Sequence, residues 1–159
     1  MHPTKIDLPE PTRVKVVALL NSRLADGVDL MLQAKQAHWN VRGRSFLSLH
    51  ELFDQVNAAA AVHVDLIAER AAQLGGKVEG TTRLAAARSN LDEYPLDIVA
   101  GRDHVEAVSK ALARFGALVR KAIDEADGLG DKDTADLFTE VSRENDKLLW
   151  FVESHLEGQ

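Results

Sequence analysis

The stretch His50-Glu51-Leu52-Phe53-Asp54-Gln55-Val56-Asn57-Ala58-Ala59-Ala60-Ala61-Val62-His63-Val64-Asp65-Leu66-Ile67-Ala68-Glu69 decides the fold. His50 and Asp54 lie four apart, and so do Asp65 and Glu69. On a helix each pair shares one face. Asp54 and Asp65 are eleven apart, roughly three turns, so both pairs fall on nearly the same face. They are still roughly 16 Å apart along the axis, too far for one copy of the chain to close one metal site. Two copies packed antiparallel about a two-fold axis remove that difficulty, because the early pair of one copy meets the late pair of the other. The crossing then falls between Ala59 and Ala60, inside the run Ala58–Ala61. Small side chains there let two helices approach closely. His38, in the preceding segment, completes a set of imidazoles and carboxylates that suits Fe(II), a metal of intermediate hardness.

The rest of the chain fits a compact helical domain. It has 159 residues, 45% of them apolar and 28% charged, with four prolines and no cysteine. That is enough to bury a real core in one domain. No apolar run approaches a membrane span. Met1 to Arg13 lacks the basic start and apolar run of a signal peptide. Absent cysteine excludes disulfides, thiolate metal sites and cysteine nucleophiles, and it fits the reducing cytoplasm, the expected location. A formal net charge of −6 excludes a broadly basic nucleic-acid binder. DNA contact would need a local basic patch or a metal bridge.

Residues 1–11 hold three of the four prolines and read as an extended tail; a single domain over 12–157 follows. From about Thr12 to Asn40, Val16, Leu20, Leu24, Val28 and Leu32 recur at helical spacing. Gly43 stops that helix. Ser48 and Glu51 have capping-box spacing, and Ser45 is the other candidate cap for a second helix. It runs to about Leu74 and stops at Gly75-Gly76. A long connection, Lys77 to Tyr94, has room for a short helix at Thr82 to Arg88. Pro95, as a first-turn proline, opens a third long helix reaching about Ala126. Gly128 and Gly130 break it. Asp133 is the expected N-cap of a fourth, from about Thr134 to Leu156.

Two short connections and one long one give an all-α, ferritin-like four-helix bundle with one long crossover carrying a short helix. The rival is a plain bundle whose polar residues merely solvate it. Di-iron bundles that build their site inside one protomer carry Glu-x-x-His motifs. This chain has no such motif.

The run Lys35-Gln36-Ala37-His38-Trp39-Asn40-Val41-Arg42-Gly43, then Phe46, Leu49-His50, Phe53-Asp54 and Asp65-Leu66-Ile67-Ala68-Glu69-Arg70, resembles the Dps family. These are the DNA-binding proteins from starved cells, or mini-ferritins. Tyr94-Pro95-Leu96-Asp97-Ile98, Asp133-Thr134-Ala135-Asp136 and Asp146-Lys147-Leu148-Leu149-Trp150-Phe151-Val152-Glu153 are similar to it as well. The resemblance covers nearly everything from the first helix onward. It implies a hollow homododecamer that binds Fe(II) between two-fold-related subunits and oxidises it, preferably with hydrogen peroxide. The ferric product is stored as mineral, and DNA is spared oxidative damage. Carried over by position, His38, His50 and Asp54 come from one subunit and Asp65 and Glu69 from its partner.

The remaining candidates keep two readings each. Trp39 is an electron or radical trap beside the iron, a role the resemblance supports, or an interface aromatic. Lys35 pairs with Asp54 and tunes one iron position, or is an ordinary surface lysine. His63 lies off the stripe of the two pairs and reads as an interface or surface group. Asp124 to Glu140 holds seven acids against Lys132 alone. They form an acidic funnel for Fe(II), or a solvated helix start favoured by the macrodipole. Asp131, Asp133 and Asp136 are the pore candidates. DNA-binding Dps tails are lysine-rich, whereas Met1 to Arg13 sets Lys5 and Arg13 against Asp7 and Glu10, and Glu157-Gly158-Gln159 carries no basic run. The alternative function, a DNA-compacting nucleoid dodecamer with secondary metal chemistry, draws little from these tails.

Overall fold

In the computed structural model, which describes residues 1–157, the chain is all-helical, with no named strand among the described residues. The ferritin-like architecture expected from the connection lengths is the one observed. Four long helices form the bundle: α1 Glu10–Asn40, α2 Phe46–Gln73, α4 Gly101–Gly128 and α5 Lys132–Glu153. The short α3, Thr82–Arg88, lies in the crossover at the residues expected. α1 packs chiefly on α2 and α4 on α5, as short loops dictate. Phe53, Phe115, Phe138, Leu20, Leu24, Ile67 and Leu112 fill the space between the pairs. No helix is long and apolar enough to cross a membrane.

α1 begins earlier than Thr12. Pro9 holds the cap position and Pro11 lies in the first turn, where the N–H that proline lacks would have no partner anyway. Its inward stripe also differs from the expected one. Val16, Leu20, Leu24 and Val28 are buried, but Leu32 is exposed. Each step of four residues turns about 40° past a full circle, so a strict four-residue series walks off the core. Leu30, Ala34 and Ala37 continue the buried face instead.

At the start of α2, Ser45 holds the cap position without a side-chain cap bond. The Ser48 hydroxyl donates to the Ser45 carbonyl at 3.0 Å, so the capping box does not form. The helix stops at Gly75, whose φ of +79° suits glycine. Residues 1–9 are docked there. His2 N–H donates to Gly75 O at 2.7 Å. Buried Arg13 donates to Leu74 O and Leu8 O at 2.9 and 3.1 Å.

The crossover runs alongside α1 and is fastened to it rung by rung. Asn21 Nδ2 donates to Lys77 O, and Asn90 N–H donates to Asp26 Oδ1 at 2.7 Å. Gln33 Nε2 donates to Asp92 O at 2.9 Å, and Arg42 bridges Ala100 in parallel. From Asn21 to Arg42 the helix rises roughly 32 Å. That span explains one correction. Pro95 does not open a helix; it precedes a turn at Leu96–Asp97, and α4 starts at Gly101. Extended backbone covers about twice the distance per residue of a helix, and residues 95–100 are needed to finish the crossing. A second correction concerns α5. Its N-cap is Asp131, which accepts from Thr134 N–H at 3.1 Å; Asp133 sits in the first turn. The expected end at Leu156 also shortens, to Glu153. Gly158 and Gln159 of the C-terminal tail lie outside the described residues.

Candidate metal centre

His38, near the end of α1, and His50, in the first turns of α2, are brought together by the short loop between the helices. Their rings stack with centroids 3.7 Å apart and planes 21° from parallel. Each Nδ1 lies 2.8 Å from the other residue's backbone carbonyl. A carbonyl only accepts, so both Nδ1 atoms carry the proton and both Nε2 atoms carry a lone pair. Hydrogen bonding of the distal ring nitrogen to a carbonyl is the arrangement that orients metal-binding imidazoles. The Phe46 ring leans against His50 with centroids 5.1 Å apart.

Asp54 lies one turn along α2 from His50 and is exposed. The Lys35 ammonium is hydrogen-bonded to its carboxylate, the pairing that one reading of Lys35 expected. This bond, with Lys35's charge, holds the Asp54 carboxyl below the usual range. His38 Nδ1 is 3.9 Å from Asp54 Oδ1. His38, His50, Asp54 and Lys35 therefore form one cluster.

Asp65 and Glu69 do not join it. Both are exposed near the far end of α2, and neither forms an ion pair or a side-chain hydrogen bond among the described residues. No group of three or more His, Asp or Glu residues within the described residues of one protomer is placed to hold a metal. One protomer thus carries the histidine–Asp54 cluster toward one end of α2 and the Asp65–Glu69 pair toward the other. Between them Ala58 and Ala61 are exposed on the same stripe, with Gln55 and Val62 exposed to its sides. Ala60 is buried and Ala59 packs against the core. The small-residue contact surface is therefore Ala58 and Ala61, one turn apart, which leaves the centre of the face where expected. Trp39 is 63% exposed beside this region, on a cavity shared with Gly43 and Phe46.

Other candidates sort by burial. His63 is only 5% exposed, so it is no surface group. It faces Glu140, Arg143, Glu144 and Lys147 of α5 across a groove, and burial pushes its pKa down against the pull of Glu144 and Glu140. Asp131 is withdrawn from the solvent-facing set. It is 2% exposed, caps α5, and pairs with Arg70 Nη2 at 2.9 Å. Asp133 and Asp136 are exposed. The Arg70–Asp131 bond spans 61 residues, and periodicity carries no signal for such a partner.

A family model described as the ferritin-like domain matches residues 17–158. The chain is 43% identical over 156 residues to the "DNA protection during starvation protein" of Agrobacterium fabrum, covering 98% of this chain and 96% of the relative. Among solved structures, Mycobacterium smegmatis Dps in its tetragonal form superposes with a TM-score of 0.93 at 30% identity, covering 99% of this chain and 96% of that one. Dps from Microbacterium arborescens "in the high iron form" gives 0.88 at 30% identity, over 96% and 98% of the two chains. With this likeness over nearly its whole length, the chain belongs to the Dps family of ferritin-like proteins.

Proposed function

We propose that this protein is a cytoplasmic ferroxidase and iron store. Its substrate Fe(II) binds between two-fold-related subunits of a homododecamer, hydrogen peroxide oxidises it, and the ferric product is kept in the cavity, sparing DNA. The observation that carries this reading is the stacked histidine pair with two free Nε2 atoms, facing solvent on the same surface as two unpaired carboxylates. Antiparallel packing across Ala58 and Ala61 would bring Asp65 and Glu69 of one copy beside His38, His50 and Asp54 of the other. Each Fe(II) gives up one electron. Hydrogen peroxide takes two, its O–O bond breaks, and two hydroxide equivalents leave, so both reagents of hydroxyl-radical chemistry are consumed.

Carboxylates favour the product side because they hold Fe(III) more strongly than Fe(II). Lys35 tempers this at Asp54: its ammonium occupies the carboxylate that iron needs, so that position fills less readily. Trp39, exposed beside the histidines, supplies an indole for stray oxidising equivalents. Asp133 and Asp136 remain as acids that steer Fe(II). The names of the A. fabrum relative and of the high-iron M. arborescens structure point the same way. A DNA-compacting role draws no support from the N-terminal segment, where Lys5 and Arg13 are matched by Asp7 and Glu10 and His2 is hydrogen-bonded to the end of α2.

The deciding experiment is peroxide-dependent Fe(II) oxidation by the native protein and Glu69→Ala, with assembly checked by size-exclusion chromatography. Loss of oxidation with assembly intact supports the shared site. Unchanged oxidation removes it.

A further inference from the structure

Tyr94 is the single tyrosine of the chain and lies in the crossover, half-buried against the core. Its hydroxyl is 2.6 Å from His104 Nδ1. With the imidazole proton on Nε2, the phenol donates and Nδ1 accepts. Burial pushes the Tyr94 hydroxyl well above its ordinary range, so it keeps its proton. His104 is 1% exposed, and its Nε2 is a buried polar atom with no hydrogen-bond partner. A buried imidazole with one nitrogen unpartnered costs stability. Neither residue belongs to the candidate metal centre.

We propose that Tyr94 and His104 form a redox pair that absorbs one-electron oxidants of the hydroxyl or indolyl radical class. The oxidant takes one electron from the phenol and is reduced. The Tyr94 O–H bond breaks and its proton forms an N–H bond at His104 Nδ1. A thiol or ascorbate-class reductant later returns the electron, and the proton moves back. A phenol that hands its proton to a fixed base is easier to oxidise than an indole. A hole first formed on exposed Trp39 or Trp150 therefore ends on Tyr94, and the chain offers no second phenol to divert it. Tyr94 lines a cavity with Leu32 and Gln33 of α1, and Gln33 is about 8 Å of helix rise from His38. The cavity that Tyr94 lines thus reaches α1 within about two turns of His38. Its protective use rests on the ferroxidase reading; its redox chemistry does not.

The test uses metal-free, assembled protein and azidyl radicals made by pulse radiolysis, followed by absorption and electron paramagnetic resonance. In the native protein the indolyl signal should convert to a tyrosyl signal, more slowly in deuterated solvent. Tyr94→Phe should leave the hole on the indoles. His104→Gln should slow conversion about tenfold, the scale of one hydrogen bond. A hole that stays on the indoles in the native protein, or a His104→Gln rate equal to native with assembly intact, overturns the proposal. If His104→Gln does not assemble, the solvent isotope effect on the native protein decides, and its absence overturns the pair. No iron is present, so failure here leaves the ferroxidase reading untouched.

Discussion

Glu69 and Arg70 are neighbours in sequence and belong to opposite kinds of surface. Glu69 points out from α2 with no partner among the described residues, on the face that carries His50, Asp54, Ala58, Ala61 and Asp65. Arg70 points into the seam between α2 and α5, where it donates to Thr134 Oγ1 at 3.0 Å and to Asp131 at 2.9 Å. Thr134 Oγ1 donates in turn to Asp131 Oδ2 at 2.6 Å. The seam treats charge as a burial problem: each ion is desolvated, and each is paired. The outward face leaves its carboxylates in water, where they cost the protomer little and stay free for a ligand. An acid's partner status, more than its position in the sequence, separates the two kinds of charge here.

The sharpest way to break the comparison is to unpair the seam. Arg70→Ala or Asp131→Ala leaves its partner charge buried and should cost about 3–5 kcal/mol in urea unfolding. A loss close to zero would mean that the seam is no more structural than the outward face. Glu69→Gln should do the reverse. Its unfolding free energy should stay within about 0.5 kcal/mol of native, while Co(II) affinity, read from the metal's visible absorption, falls at least about tenfold. Equal metal affinity would erase the distinction from the other side.

The outward face was legible in the sequence because its logic is local. Spacings of four and eleven residues on one helix require no knowledge of what the helix packs against. The short α3 and the Gly75 stop were legible for the same reason. What escaped depends on distant partners. Asp131 and Asp133 are equally good caps by residue type, and Arg70, 61 residues away, chooses between them. Pro95 marks a helix start by local preference, yet the crossover's length keeps the chain extended until Gly101. The reciprocal histidine bonds join residues 12 apart across a loop, so spacing could nominate both ligands but not fix their tautomers. Ala59 and Ala60 were nominated by counting, whereas the core claims them and leaves Ala58 and Ala61 outside.

Two smaller effects refine the contrast. Gly75→Ala places a side chain at a φ of +79°, and its Cβ would fall 2.3 Å from His2 O. Left-handed backbone alone costs roughly 1–2 kcal/mol. The N-terminal segment should also detach, raising amide exchange at His2 and Ile6 while leaving the metal face unchanged. Unaltered exchange at both positions would mean that the segment is not held by this contact.

The weakest expected effect is on pH dependence. Burial lowers the pKa of His63, opposed by Glu144 and Glu140, and of His104, opposed by Asp103, both from an ordinary value near 6.5. The unfolded chain therefore protonates first. Stability is fully present above about pH 6.5 and declines as pH falls toward the lower folded values. Asp26 works in the opposite direction, because burial raises its pKa. Unfolding is measured in steps from about pH 7.5 to 5.5, and the histidine contribution is read as the difference between native and variant slopes. His63→Gln should flatten the slope without touching Asp65, Glu69 or the histidine half-site. An unchanged slope would place the titration elsewhere and show that the α2–α5 groove admits a proton as readily as the exposed face.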